Sequence, residues 1–250
     1  MEIKLSVVII TFNEEKNIER CLQSVQKVAD EVIVVDSFST DKTRELCLAY
    51  NVKFIENSFE GHIQQKNYAK DQASFNYVLS LDADEALSDN LTKEILKIKK
   101  NCTKDGYYFN RLNNYCGKWI KHGSWYPDRK LRLFHKNRGE WTGENPHDEF
   151  VTHKSNTAKR VDADILHYSF YSVFEHLQQI NKFTELAAEA ALSKGKRSSI
   201  IKIIFNPKAK FLKDYVLKLG FLDGFYGFVI AVNSTWYTFT KYVKMYIKQS

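Results

Sequence analysis

Four short apolar runs, each followed by a helix-like pattern, confine the first hundred residues to an α/β fold. Residues 5–10 (LSVVII), 32–35 (VIVV), 52–55 (VKFI) and 76–81 (NYVLSL) have the length and β-branched character of buried strands. Between the first two, Ile18, Cys21, Leu22, Val25 and Val28 recur at helical spacing. Asn13 with Glu14 and Glu15 makes a sensible start for that helix, since acids favour its positive end. Asp41 is expected to cap a second helix reaching about Tyr50, a third covers 62–74, and Ser88 opens a fourth through Lys100. Such alternation implies right-handed crossovers and a mostly parallel sheet between helical layers. Ligands of these sheets bind beyond the carboxyl ends of the strands.

The pattern changes after Asn101. Residues 107–153 are rich in Trp, Tyr, Arg and His with little periodicity, so strands at 107–111 and 130–135 are expected among long loops. A helix resumes from Tyr171 to Leu192, KGKRSS (194–199) reads as an exposed linker, and 200–248 reads as helical. The net charge of +7 is concentrated there: residues 201–250 carry eight lysines against Asp214 and Asp223. With its many aromatics, such an end suits an anionic surface. The apolar stretch 219–232 is interrupted by Asp223 and three glycines, too short to span a bilayer, so membrane contact rather than crossing is expected. The N-terminal apolar run soon meets acids and reads as a strand, not a signal peptide. Cys21, Cys47, Cys102 and Cys116 show no CxxC spacing, and reduced thiols of a cytoplasmic protein are the expectation.

Three strand ends carry polar residues that should meet in one crevice: Thr11-Phe12-Asn13, Asp36-Ser37 and Asp82-Ala83-Asp84. Paired carboxylates such as Asp82 and Asp84 suit Mg²⁺ or Mn²⁺, which complete their shells with phosphate oxygens. A bare DxD triplet is common and reads equally as a solvated turn; its place at a strand end makes it a candidate. Asp36 is placed to accept hydrogen bonds from a base or ribose, or else to shape its turn. Lys66 either neutralises diphosphate charge or is one exposed lysine among many. Asp128 is a candidate carboxylate that could equally pair with Arg129 or Arg132, and Arg132 either grips an anion or pairs in that way. His167, after a short apolar stretch, reads as a metal ligand or a hydrogen-bonded core residue. Trp119, Trp125, Tyr126 and Trp141 are candidates to stack on a sugar ring, with most of them expected to pack.

The ordered runs SVVIITFNEEKNIERCLQSV, EVIVVDSFSTDKT, GHIQQKNYA and YVLSLDADE together resemble glycosyltransferase family 2. YPDRKLRLF, the HDE at 147–149, ILHYSF and KLGFLDGFYGF resemble its bacterial lipopolysaccharide-core, β-1,4-glucosyltransferase-like subgroup. The resemblance implies a GT-A fold: a Rossmann-like αβα sandwich over 1–192, with a donor half (1–100), an acceptor half (101–192) and a helical extension (193–250). It further implies inverting transfer of a hexose, glucose from UDP-glucose, onto a lipid-linked saccharide such as a lipopolysaccharide core. By position, Thr11, Asn13, Glu14 and Asp36 would line the nucleotide pocket, with Lys66 and Arg132 near phosphate. Asp82 would touch ribose or metal, and Asp84 and His167 the Mg²⁺ or Mn²⁺ ion. Glu149 is the preferred catalytic base, with Asp148 and Asp128 as alternatives.

The expected partners are a nucleotide-sugar donor, a glycolipid or saccharide acceptor and the inner face of the cytoplasmic membrane. A nucleotidyltransferase also uses strand-end carboxylates and metal, but TFNEEKN lacks the Gly-rich loop expected after the first strand. A nucleic-acid-binding module is the third reading, and the basic tail carries no RNP-like or zinc-finger pattern, so no nucleic acid is expected.

Overall fold

The computed structural model describes residues 2–144, 147–154 and 157–249. Their order is β1 (Leu5–Thr11), α1 (Ile18–Val25), β2 (Glu31–Asp36), α2 (Thr43–Leu48), β3 (Lys53–Glu56), α3 (His62–Asp71), β4 (Tyr77–Asp82), β5 (Glu85–Leu87) and α4 (Asp89–Lys100). There follow β6 (Gly106–Tyr115), β7 (Lys118–Ile120), β8 (Asp128–His135), β9 (Gly139–Glu144), β10 (His147–Thr152) and β11 (Ala158–Phe170). Three helices close the chain: α5 (Val173–Ser193), α6 (Ile200–Phe211) and α7 (Gly224–Lys248). Between the last two lie a π-helical turn at Leu212–Leu217 and a 3₁₀ turn at Gly220–Asp223.

Among the described residues, a nine-stranded sheet runs β3-β2-β1-β4-β8-β6-β11-β5, with β7 paired to β6. β3, β2, β1 and β4 are parallel, as the β/α alternation requires, and β8 continues the sheet antiparallel to β4. The strands alternate side chains between two faces. Val7, Ile9, Leu79 and Leu81 face α1, α2 and α4, packing on Leu22, Val25, Cys47, Leu91 and Ile95. Val8, Ile33, Val35 and Val78 face the other way, onto Ala69 and Ala73 and onto Phe134, Trp141 and Phe150. Each large apolar side chain so buried contributes roughly 1.5–3 kcal/mol. Phe134 stacks on Phe150 at 3.6 Å, which seats the separate β9–β10 hairpin.

Two helix starts differ from expectation. The first helix begins at Ile18, not near Asn13, because residues 14–17 form a turn and their acids bond elsewhere. Glu15 accepts from the backbone N–H of Lys42 at 3.1 Å, and Glu14 from Asn17 Nδ2 at 2.7 Å. Asp41 sits one residue ahead of the cap position of α2, accepting from the N–H groups of Thr43 and Glu15. Ser88 caps α4 as expected, accepting from Leu91 N.

The chain forms two compact units, one comprising residues up to Arg111 with Arg129–Tyr168, the other Leu112–Asp128 with the chain from Ser169 onward. The second unit centres on Tyr115, Ile120, Phe170 and Ile230. Ser172 and Glu175 form a capping box that starts α5. Asp223 accepts from the N–H groups of Lys121 and His122, and Asp214 accepts from Ser124 Oγ and pairs with Lys210 at 2.8 Å. The tail's two acids are thus buried fastenings for the 121–124 loop.

The glycines of GFLDGFYG permit this close turn. A Cβ on Gly227 would lie 1.9 Å from the carbonyl oxygen of Gly220, and one on Gly220 would lie 2.6 Å from that of Asp214. Gly227→Ala should therefore destabilise the protein by at least the ~1–3 kcal/mol typical of overpacking. Thermal melting of the variant, with a clearly lower Tm than wild type, checks this; an unchanged Tm would refute the packing account.

Candidate active site

The site is built at the carboxyl end of β4, inside the first unit. Strand register alone assembles much of it, since Thr11 pairs with Asp36 and Ile10 with Asp82 across β2-β1-β4. The loops beyond are then tied together. Asn13, in the left-handed region at φ 54°, accepts from Thr40 N at 2.8 Å, and its own N–H donates to Ser39 Oγ at 2.8 Å. Ser39 also donates to both carboxylate oxygens of Asp36, at 2.7 Å from its N–H and 2.5 Å from its hydroxyl. Asp36 is buried and shapes its own turn. Gln65 joins this group, donating to Ser37 Oγ and accepting from Asn57 Nδ2.

Asp82, the last residue of β4, holds two cations. Lys66 Nζ from α3 lies 3.0 Å from it, and Arg132 Nη2 from β8 lies 2.8 Å away. Lys66 also reaches Asp148 on β10 at 2.7 Å, and Arg132 reaches Glu85 at 2.9 Å. Glu85 is fully buried, and Arg132 is only 3 % exposed. Burial opposes the ionisation of Asp82, but Arg132 and then Lys66 outweigh it and hold the carboxyl well below the usual range. Glu85 closes the tight Asp82–Glu85 turn as well, accepting from Asp82 N at 3.0 Å. Arg132 pairs with Asp82 and Glu85, because the turn after β4 puts these two carboxylates opposite it. Asp128 belongs to the second unit, at the start of β8.

Asp84 is set apart from that cluster. Antiparallel pairing of β11 with β5 places His167 opposite Glu85, and Tyr168 N donates to the Asp84 carbonyl at 3.0 Å. His167 Nε2 consequently lies 3.1 Å from Asp84 Oδ2. Both side chains are partly exposed, and together they offer one oxygen and one nitrogen ligand. Among the described residues no group of three or more metal-ligating side chains occurs. The pair fits Mg²⁺ or Mn²⁺ nonetheless, since these ions keep water and take phosphate oxygens to complete their shells.

Glu14 faces the same carboxylates. Its pKa is pushed up to about 7, first by burial and then by Asp84, Asp41 and Asp82, against a hydrogen bond from Asn17. Among the described residues, Thr11 Oγ1, Arg132 Nε and Nη1 and Trp141 Nε1 have no hydrogen-bond partner. Trp141 is buried in the core beside Phe134 and Phe150, with Lys66 4.8 Å from its ring centroid, rather than facing an acceptor. Trp125 packs on Tyr115 in the second unit. On β10, Asp148 and Phe150 face inward while Glu149, the residue between, points the other way and is exposed. The sequence reading missed Glu85; an acid three residues after a strand-end aspartate, at the start of another apolar stretch, was the available signal.

The family model described as glycosyl transferase family 2 matches residues 6–159, which contain every site element above except His167. The chain belongs to glycosyl transferase family 2. An uncharacterized glycosyltransferase of Rickettsia bellii is 31 % identical over 97 % of this chain and 85 % of its own length. A lipopolysaccharide core biosynthesis glycosyltransferase, LpsC of Rhizobium meliloti, is 28 % identical over 98 % and 93 %. Among solved structures, a mannosyltransferase from Pyrobaculum calidifontis in complex with GDP-Man and Mn²⁺ superposes with a TM-score of 0.56. It is 17 % identical, with 98 % of this chain and 87 % of that one covered. S. aureus TarS 1–349 in complex with UDP-GlcNAc gives a TM-score of 0.51 at 16 % identity, covering 95 % and 90 %. These likenesses show the GT-A fold expected of this glycosyltransferase family. Membership also overtakes the nucleotidyltransferase and nucleic-acid readings.

Two outcomes test the electrostatics of this family 2 site. Arg132→Leu strands the buried Glu85 and leaves Asp82 with Lys66 alone, and should cost about 3–5 kcal/mol, read as a lower urea midpoint; a midpoint within error of wild type would count against the cluster. For Glu14, the unfolded chain releases its proton near pH 4.5, whereas the folded chain keeps it to about 7. Its ionisation therefore costs stability progressively across that window and fully above it. Without added metal or donor, Glu14→Gln should raise Tm more at high pH than at pH 5, and equal shifts at the two would contradict the assignment.

Proposed function

We propose that this glycosyltransferase moves a hexose from a nucleoside-diphosphate sugar, UDP-glucose in the first instance, onto a lipid-linked saccharide with inversion at the anomeric carbon. The observation that carries the reading is the division of labour at the end of β4. Asp82 is neutralised by Lys66 and Arg132, while the partly exposed Asp84 and His167 lie 3.1 Å from each other. Glycosyltransferase neighbours in the fold were solved with Mn²⁺ and nucleotide sugars, and LpsC is named for lipopolysaccharide core biosynthesis, which supports the donor and acceptor classes.

In this reading Thr11, Asn13 and Glu14 line the nucleotide pocket, and Asp36 holds the loop that receives base and ribose. Lys66 and Arg132 supply positive charge toward the diphosphate, and Asp82 orients both cations. Asp84 and His167 would hold Mg²⁺ or Mn²⁺, whose chemistry when bound is to offset charge on the departing diphosphate. A carboxylate takes the acceptor hydroxyl proton as that oxygen bonds the anomeric carbon, while the carbon–diphosphate bond breaks and its electrons leave with the nucleotide. Of the three carboxylates weighed, Asp148 faces the charge cluster from β10 whereas its neighbour Glu149 points away and is exposed, so we assign it the base role ahead of Glu149 and Asp128.

Asp84→Ala should lower transfer, followed as nucleoside diphosphate released with acceptor present, by about two orders of magnitude or more. The variant should also lose the Mn²⁺-dependent part of the Tm rise that a UDP-sugar gives wild type. Full turnover in Asp84→Ala would overturn the metal assignment, and greater loss in Glu149→Gln than in Asp148→Asn would move the base.

A further inference from the structure

The second unit carries a surface that the transfer chemistry does not use. On α6 the apolar side chains Ile200, Ile201, Ile204 and Phe205 face solvent, with Ile201 69 % exposed. The stripe continues through Leu212, Val216 and Leu217 of the π-helical turn, the last 71 % exposed. On α7, Phe225, Phe228, Val232 and Trp236 recur at spacings of three and four, so they share one exposed side of the helix. Phe228 joins the two stripes, its ring lying 6.3 Å from Phe211 and 5.8 Å from Tyr215. An exposed apolar patch of this extent on a soluble protein marks an interaction site.

Its charge says what it meets. Both acids of the segment are buried and spent: Asp223 on the 121–122 backbone, Asp214 on Ser124 and Lys210. What remains at the surface is basic. Lys202, Lys208, Lys213 and Lys218 are exposed and, among the described residues, form no ion pair. A second copy seated on this face would bring lysine rows together, which disfavours self-association. Among the described residues no single helix is long and apolar enough to cross a membrane; Ile200–Leu217 with Gly220–Lys248 would qualify by length and composition only as a pair, and that pair is bent by 69°. A bent, amphipathic, lysine-fringed pair with outward Phe and Trp has the chemistry of an element that lies in the headgroup boundary of an anionic bilayer.

We propose that α6, the turn after it and the first half of α7 form a membrane-docking face that inserts its exposed Phe, Leu, Ile and Trp side chains into an anionic phospholipid surface. The proposal deepens the reading of a lipid-linked acceptor and rests on it for its biological purpose, though its evidence lies in the second unit alone. The intact protein, mixed with vesicles of phosphatidylcholine alone or with phosphatidylglycerol added, should co-sediment with the anionic vesicles, and salt should weaken this. Each of Lys208→Gln, Lys213→Gln and Lys218→Gln should lower the partition coefficient about fivefold, the equivalent of about 1 kcal/mol per lysine. Phe225→Ser with Leu217→Ser should lower it further, and on both vesicle types. Brominated lipid should quench Trp236, and Trp236→Phe should remove that component. None of these residues belongs to the transfer site, so the Tm rise on adding UDP-sugar and Mn²⁺ should be the same in all variants. That rise failing in wild type would sink the donor reading and leave the docking face standing. Absence of vesicle binding, indifference to the lysine changes, or a dimer that Phe225→Ser dissociates would overturn the docking face itself.

Discussion

The five-way charge cluster around Asp82 is the interaction on which both the fold and the site depend. Asp82 comes from β4, Lys66 from α3, Arg132 from β8, Glu85 from β5 and Asp148 from β10. Each ion alone would be costly to bury, and the group is tolerable only because every member has a partner of opposite sign. Elements far apart in sequence are therefore held to a common point by charge as well as by apolar packing. Removing one member leaves another stranded, so the cluster resists piecemeal change. The same arrangement keeps Asp82 ionised and holds Lys66 and Arg132 against it, so in the proposed reading stability and donor binding draw on the same residues.

Much of the first hundred residues was legible because local signals and tertiary packing agree there. LSVVII, VIVV, VKFI and NYVLSL are strands, and the register Thr11 to Asp36 and Ile10 to Asp82 brings their ends together as the alternation of elements implied. The start of α1 was misplaced because Glu14 and Glu15 look like first-turn acids, whereas Asn17 claims Glu14 within the turn and the distant Lys42 claims Glu15. No local rule reveals a partner twenty-seven positions away. The β9–β10 hairpin was illegible for a different reason: it is short, and Phe150 and Trp141 are fixed by contacts with Phe134 rather than by any period of their own. Glu85 escaped notice because sequence inspection weighs a strand-end acid as solvated until its cation is seen.

The tail shows how composition is readable while roles are not. Its lysines, aromatics and glycines were plain in the sequence, and the glycines looked like interruptions in an apolar run. The close approach of Gly227 to Gly220 shows them instead to be the condition for a compact turn. Asp223 likewise looked like a break, and it is an anchor for backbone amides about a hundred residues earlier. Its burial also changes the meaning of the net charge, since the acids are hidden and the lysines are not.

Those fastenings have a consequence for the order in which the chain can acquire its structure. The bonds from Lys121 and His122 to Asp223 close loops of 102 and 101 residues, and the bond from Ser124 to Asp214 closes one of 90. Closures of that length make a high-contact-order, slow-maturing region. During synthesis, the strands and helices of the first hundred residues can find their neighbours as they emerge. The 121–124 loop cannot, because its acceptors lie 90, 101 and 102 residues further along the chain. The second unit is therefore a late step of biogenesis, and its apolar side chains stay exposed to chaperones until the segment through Asp223 has been made.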